Sequence, residues 1–200
     1  MAQRGAPSGN KAGRGVFVLA TRAASVFRES EGGPRMDEQH NREGGCACGS
    51  ARYRIAGDPI MVLNCHCRQC QQQTGSTSVV NAFWESERVE LLSGDLQEFA
   101  VPGGSGAPHT MARCQQCGTA LFSYYGSMGR LMVAVRAGTL DEPASVTPDV
   151  IIFTGEAMPW VGFADGIPRF EGNYSARDVL DGESLERLKA LGARRKAGEG

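Results

Sequence analysis

Seven cysteines, an odd number, constrain this 200-residue chain more than any other feature. An odd count excludes a fully paired disulfide framework within one chain. The cysteines fall in three tight groups: Cys46-Ala47-Cys48-Gly49, Cys65-His66-Cys67-Arg68-Gln69-Cys70 and Cys114-Gln115-Gln116-Cys117-Gly118. Cysteines that merely fill an apolar core do not usually cluster this way. A C-x-C pair is poorly placed to bridge with itself. No convincing signal peptide argues for an exported, disulfide-bonded domain. A thioredoxin-type redox site would need a βαβ setting, which neither C-x-x-C has. Thiolate ligation of a metal is the strongest reading of such a pattern.

The spacings then divide the ligands. In an extended C-x-C, alternate side chains share a side, so both sulfurs face one metal while Ala47 or His66 points away. In C-x-x-C-G the chain turns tightly, and Gly118 can take the positive φ such a turn needs. The N–H groups freed in the turn can then hydrogen-bond the thiolates. One C-x-C plus one C-x-x-C, namely Cys46, Cys48, Cys114 and Cys117, gives the closed tetrahedral set of a structural zinc. Cys65, Cys67 and Cys70 give three thiolates and one open position, the pattern of a catalytic zinc. Four plus three leaves no thiol over. One alternative makes both sites structural, with His66 or His109 completing the second. His66 lies on the wrong side of an extended C-x-C, and His109 reads equally as a ligand or a solvated loop residue. The soft donor set favours zinc, with iron the other metal it would accept.

The formal charge of −1 conceals an uneven split. Residues 1–35 hold six basic and two acidic side chains, against 15 and 20 in the remainder. Residues 1–41, rich in Gly, Ala, Ser and Arg, read as a disordered basic N-terminal extension. A transit peptide, a basic arm for an anionic surface, and an extension preceding a start at Met36 are its three readings. The acidic remainder argues against a broad phosphate-binding face, so nucleic acid is not an expected partner. No apolar run approaches the length of a membrane span. The absence of an export signal makes the expected location cytoplasmic.

Beyond Arg42, short apolar runs alternate with Gly and Pro. Strands are expected at 51–55, 61–65, 78–83, 89–92, 96–101, 110–113, 120–124, 131–135 and 150–154. Helices are expected at 68–73 and at 184–196, where Leu185, Leu188 and Leu191 recur at helical spacing. Regularly spaced short strands define an all-β domain. There is no Ser/His/Asp set, P-loop or dinucleotide fingerprint to support another chemistry.

With these motifs in order, the chain resembles the glutathione-dependent formaldehyde-activating (GFA) family, which shares its domain with centromere protein V. The resemblance rests on Gly44–Gly49, Cys65–Cys70 followed by Thr74-Gly75-Ser76, and Cys114–Leu121. It continues through Gly138-Thr139-Leu140-Asp141, Pro159-Trp160 and Asp165–Phe170, covering about residues 42–172. It implies a β-tent zinc fold of stacked antiparallel sheets with short helices, here including a C-terminal helix in a tail over residues 173–200. It implies two Zn²⁺ per chain: a structural zinc on Cys46, Cys48, Cys114 and Cys117, and a catalytic zinc on Cys65, Cys67 and Cys70. The implied activity is that of a carbon–sulfur lyase acting on a thiol–aldehyde adduct such as S-(hydroxymethyl)glutathione, formed from formaldehyde and glutathione. The alternative is a non-enzymatic zinc-binding interaction module. Two positions depart from the family pattern: Arg113 stands where many members have Phe, and Ile151 where many have His. Arg68, Gln69 and Gln71–Gln73 are candidates to meet a peptide carboxylate, or else form a solvated helix face. Trp160 and Phe163 are candidates to line the pocket or to pack the core.

Overall fold

The computed structural model describes residues 41–103 and 106–200. The expected N-terminal extension, but for its last residue, and the start at Met36 therefore lie outside the described residues. Among the described residues, ten strands form two sheets. The small one has the order β1 (Arg42–Gly45), β2 (Arg52–Ile55), β5 (Val89–Ser93) and is antiparallel. The large one begins with β10 (Val150–Ile152), β3 (Met61–Cys65), β4 (Val79–Glu85) and β9 (Met132–Arg136). It continues through β8 (Ala120–Tyr125), β7 (Pro108–Cys114) and β6 (Leu96–Pro102). The helices are α1 (Arg68–Thr74) and α2 (Gly182–Lys196). This is the expected all-β class with a C-terminal helix.

Period-two patterning explains the layers. In β2, Tyr53 and Ile55 point inward while Arg52 and Arg54 stay partly exposed. Opposite Arg54 in the register lies Glu43, and the two form an ion pair at 2.9 Å. Tyr53 reaches across to the large sheet and meets Phe122 edge-on at 5.1 Å. Around them Val62, Ala82, Trp84, Val133 and Val135 complete a core between the sheets. The alternate residues of the same strands, Leu63, Phe83, Met132 and Ala134, form a second core on the opposite face. The large sheet is thus covered on both sides, and its strands read as nearly continuous apolar runs.

Two details differ from the sequence expectation. Residues 42–45 form a strand although two of the four are Gly, which has poor strand propensity; pairing with β2 overrides propensity there. The three residues of β10 run parallel to β3, so the large sheet is mixed rather than purely antiparallel. Ile151, buried within β10, pairs in register with Asn64.

Helix α2 closes part of the second core. Asp181 caps it, its Oδ1 accepting from the Ser184 N–H at 2.7 Å, as N-cap carboxylates do. Leu191 is buried against the Leu131 and Met132 cluster. Arg187 pairs with Glu85 at 2.6 Å. Burial works against the Glu85 carboxylate, but Arg187, a backbone N–H and Arg88 outweigh it and hold its pKa below the ordinary 4.5. Leu191→Ala should therefore lower stability by about 2–4 kcal/mol in chemical denaturation. A depressed carboxylate pKa contributes stability that is present above the unfolded value and lost as pH falls through the folded one. Acid unfolding below pH 4.5 should accordingly be less steep in Arg187→Gln than in the natural chain.

Candidate metal centres

The two sheets meet at the first cysteine set. Cys46 follows β1, and Cys114 ends β7. Cys48 and Cys117 sit in the turns just beyond them. The four sulfurs lie within 4.8 Å of one another. Cys46 and Cys114 are buried within the inter-sheet core, while Cys48 and Cys117 are exposed. The C-x-C here is a turn closed by Gly49 N–H to Cys46 C=O at 3.0 Å, rather than an extended segment. The C-x-x-C turn closes in the same way, with Gly118 N–H to Cys114 C=O at 2.9 Å. Gly49 and Gly118 take φ of 77° and 73°, the left-handed conformation expected at Gly118 and one that glycine adopts without steric cost.

Hydrogen-bond donors surround these sulfurs. The Ala51 N–H reaches Cys46 Sγ at 3.3 Å. The Ser50 hydroxyl lies 3.2 Å from both Cys48 Sγ and Cys114 Sγ and 3.7 Å from Cys46 Sγ. Thr119 Oγ1 lies 3.1 Å from Cys117 Sγ. Burial opposes ionisation of Cys46, but the Ala51 N–H, Ser50 and the neighbouring thiols bring its pKa down to about 5. Thr119 lowers that of Cys117 to about 7. Ser50 and Thr119 carry no cysteine-like signal in the sequence. Only their places two residues after Cys48 and Cys117 hint at the role.

The second set stands on the other face of the large sheet. Cys65 ends β3, Cys67 caps α1, and Cys70 lies in its first turn. Their sulfurs also lie within 4.8 Å of one another, and that group contains no histidine. Cys67 Sγ accepts the Cys70 N–H at 3.4 Å. Cys65 and Cys70, with the Cys70 and Gln69 N–H groups, drive the Cys67 pKa far down. The reciprocal effect of Cys67 pushes Cys65 up to about 12 and Cys70 upward as well. One thiolate forms readily and suppresses the other two, as expected for like charges sharing a site. A divalent cation removes that conflict. Soft thiolates at this spacing are a fitting donor set for such an ion in both clusters.

His66 lies away from this sulfur group, in an edge-on contact with Phe163 at 5.1 Å. Its pKa is lowered by burial. Neither ring nitrogen has a partner at full hydrogen-bond geometry, and the nearby Thr77 backbone offsets only part of the effect of burial. His109 is not a loop residue. It lies inside β7, buried, and stacks on Tyr125 at 4.4 Å. Burial, then Arg136, lowers its pKa to about 4, while Cys67 opposes them.

The polar residues of α1 are mostly engaged within the protein. Gln71 is buried and donates to the His66 and Glu156 carbonyls at 2.7 and 2.9 Å. Gln69 donates to the Pro102 carbonyl at 2.6 Å. The Arg68 N–H donates to the Glu156 carboxylate at 2.6 Å. Gln72 is exposed. The turn at Thr154–Glu156 that meets α1 follows Phe153, whose φ of 56° is unusual for a bulky residue and costs on the order of 1–3 kcal/mol. Trp160 stands 72% exposed, so it does not pack the core. Arg113 links the two centres: it donates to the Gly118 carbonyl at 3.0 Å and to the Gln73 carbonyl at 3.2 Å.

A two-sheet β fold carrying one four-cysteine and one three-cysteine cluster defines a class of protein with two sulfur sites that could each hold a metal ion. Within that class the chain belongs to the glutathione-dependent formaldehyde-activating enzyme family, whose sequence model matches residues 41–156. No curated protein matches the chain. A crystal structure of a Rhodobacter sphaeroides protein is similar, with 17% identity and a TM-score of 0.39 over 53% of this chain and 91% of that one.

Ser50 is the hydroxyl shared among three sulfurs of the first set. Ser50→Ala should weaken metal retention there by about 10–100-fold, as loss of a ligand's hydrogen-bond partner typically does. Competition with a chromogenic chelator measures this, and retention at the second set should be unchanged.

Proposed function

We propose that the chain is a zinc-dependent carbon–sulfur lyase of the GFA type, acting on a thiol–aldehyde adduct such as S-(hydroxymethyl)glutathione. The observation that carries this reading is the three-sulfur cluster with no histidine in its group, in a chain that belongs to this family. In it, Cys46, Cys48, Cys114 and Cys117 hold a structural zinc between the sheets. Cys65, Cys67 and Cys70 would hold a second zinc, the one that would act on substrate. Zinc held in that way supplies Lewis acidity toward a thiolate or a carbonyl oxygen.

The protein's own groups do the rest. The Cys65 and Cys70 thiols, helped by the Cys70 N–H at the start of α1, favour the ionised form of the Cys67 sulfur. Gln71 ties the Cys65–Cys70 segment to the turn at Glu156, which limits its freedom to rearrange when a substrate arrives. His66, buried beside the segment, packs edge-on against Phe163. The thiol partner is a small molecule, with glutathione the family's own. No helix among the described residues is long and apolar enough to cross a membrane. A cytoplasmic setting, where free glutathione is abundant and thiols stay reduced, fits this chemistry.

The two cluster types should respond differently to substitution. Cys114→Ser should impair folding, because a structural zinc contributes folding free energy directly. Cys67→Ser should stay folded but lose one metal ion and the thiol–aldehyde activity. Metal analysis, circular dichroism and a formaldehyde–glutathione assay on the two variants check this. If both unfold alike, the second cluster is structural. If the natural chain binds two metal ions and shows no such activity, while residues 1–35 bring down a partner, the non-enzymatic module replaces the lyase.

A further inference from the structure

The large sheet presents a buried polar row on the same face as the three-cysteine cluster, and the chemistry above makes no use of it. Period-two alternation puts Asn81 of β4, Ser123 of β8, His109 of β7 and Arg136 of β9 on that face. All four are buried. Arg136 lies opposite Asn81 in the register and donates to its Oδ1 at 2.7 Å. It also donates to Ser123 Oγ at 3.0 Å and to Gln73 Oε1 at 3.3 Å. Arg136 has no carboxylate partner among the described residues.

These bonds fix the state of His109. A guanidinium only donates, so the Gln73 oxygen must face Arg136. The Gln73 amide nitrogen then faces His109 Nδ1, at 3.2 Å. An amide nitrogen also only donates, so Nδ1 is an acceptor, and the neutral ring carries its proton on Nε2. That Nε2 is buried and meets no partner. A buried donor left without a partner calls for a specific explanation, such as an absent ligand.

The place of this donor suggests the ligand. Tyr125, on which His109 stacks, packs in the same cluster as Cys65, Cys67 and Cys70. Gln73 follows Cys70 by one helical turn on α1, so the residue that orients His109 rides on the helix that carries the cluster. We propose that His109, held by Gln73 as the Nε2–H tautomer, donates a hydrogen bond to the aldehyde-derived oxygen of the adduct handled at the Cys65/Cys67/Cys70 site. This rests on the lyase reading of that site and deepens it. His109 is then a catalytic residue, and Gln73 and Arg136 are positioning residues.

The reaction balances with His109 unchanged. The substrate thiol releases its proton to solvent. A sulfur electron pair forms the C–S bond, and the C=O π pair moves onto oxygen. That oxygen takes a proton from solvent, and cleavage reverses each step. The Nε2–H keeps its proton and bonds most strongly as negative charge grows on oxygen. The burial that keeps the imidazole neutral at physiological pH also keeps the tautomer well defined.

The test uses the full-length, metal-loaded protein labelled with ¹⁵N-histidine. His109 should show a protonated Nε2 and an unprotonated Nδ1. Its Nε2–H signal should move when formaldehyde is added with glutathione, and not with glutathione alone. His109→Phe keeps the ring stacked on Tyr125 and removes the donor; its kcat should fall by about 10²-fold with metal content unchanged. His109→Gln, whose amide can reach the same point, should regain part of that loss. Gln73→Leu should blur the tautomer signature and lose activity to an intermediate degree. An active natural chain with His109→Phe at undiminished kcat overturns this inference alone. A natural chain with no thiol–aldehyde activity and an unmoved signal overturns the lyase reading with it. Should His109→Phe fail to fold, the natural chain's tautomer and its response to the mixture decide. A proton on Nδ1, or no response in an active protein, counts against the proposal.

Discussion

Thiolate repulsion is the constraint on which this structure turns. The fold brings four sulfurs together at one place and three at another, and like charges so close cannot all ionise in a protein of low dielectric. In the second set the conflict is visible in the chain itself: Cys67 ionises easily while Cys65 and Cys70 are driven the other way. Hydrogen bonds from Ala51, Ser50 and Thr119 ease the first set. A shared cation would relieve both.

The large sheet separates the two problems. The first set lies where β1 of the small sheet approaches the end of β7, so its sulfurs stand where the two sheets meet. The second lies on the opposite face, under α1 and the segment after β10. Arg113 spans the two by holding one carbonyl from each neighbourhood. Where many relatives are expected to have Phe, this chain thus has a charged tie between a turn and a helix. The other departure, Ile151, is plain core: it is buried in β10 and carries no polar group toward either cluster.

Much of this was legible in the residues. Alternation located nearly all the strands, because a half-buried strand repeats with period two. Leu185, Leu188 and Leu191 marked α2, although its first residues are set by the Asp181 cap. The cysteine spacings foretold which sulfurs converge, and Gly118 foretold the C-x-x-C turn, but the C-x-C at Cys46, expected to be extended, is a turn as well. The polar row was not legible. Asn81, Ser123 and Arg136 occupy alternate positions that would face solvent in a two-layer fold. The third layer of helix and loop buries them here. Nothing local in His109 distinguished a loop residue from one inside β7, because its burial comes from Tyr125 and from strands distant in sequence. Gln71 and Gln73 looked like a solvated face because their partners, the Glu156 carbonyl and Arg136, lie far along the chain.

X-ray absorption at the metal edge of the loaded, full-length protein tests the central claim, two inequivalent sulfur sites, most directly. The account predicts a mean sulfur coordination below four, with a light oxygen scatterer completing the shell, because one site has all its ligands from cysteine and the other does not. A full set of four sulfurs at every metal ion, or a histidine nitrogen in the shell, would contradict it.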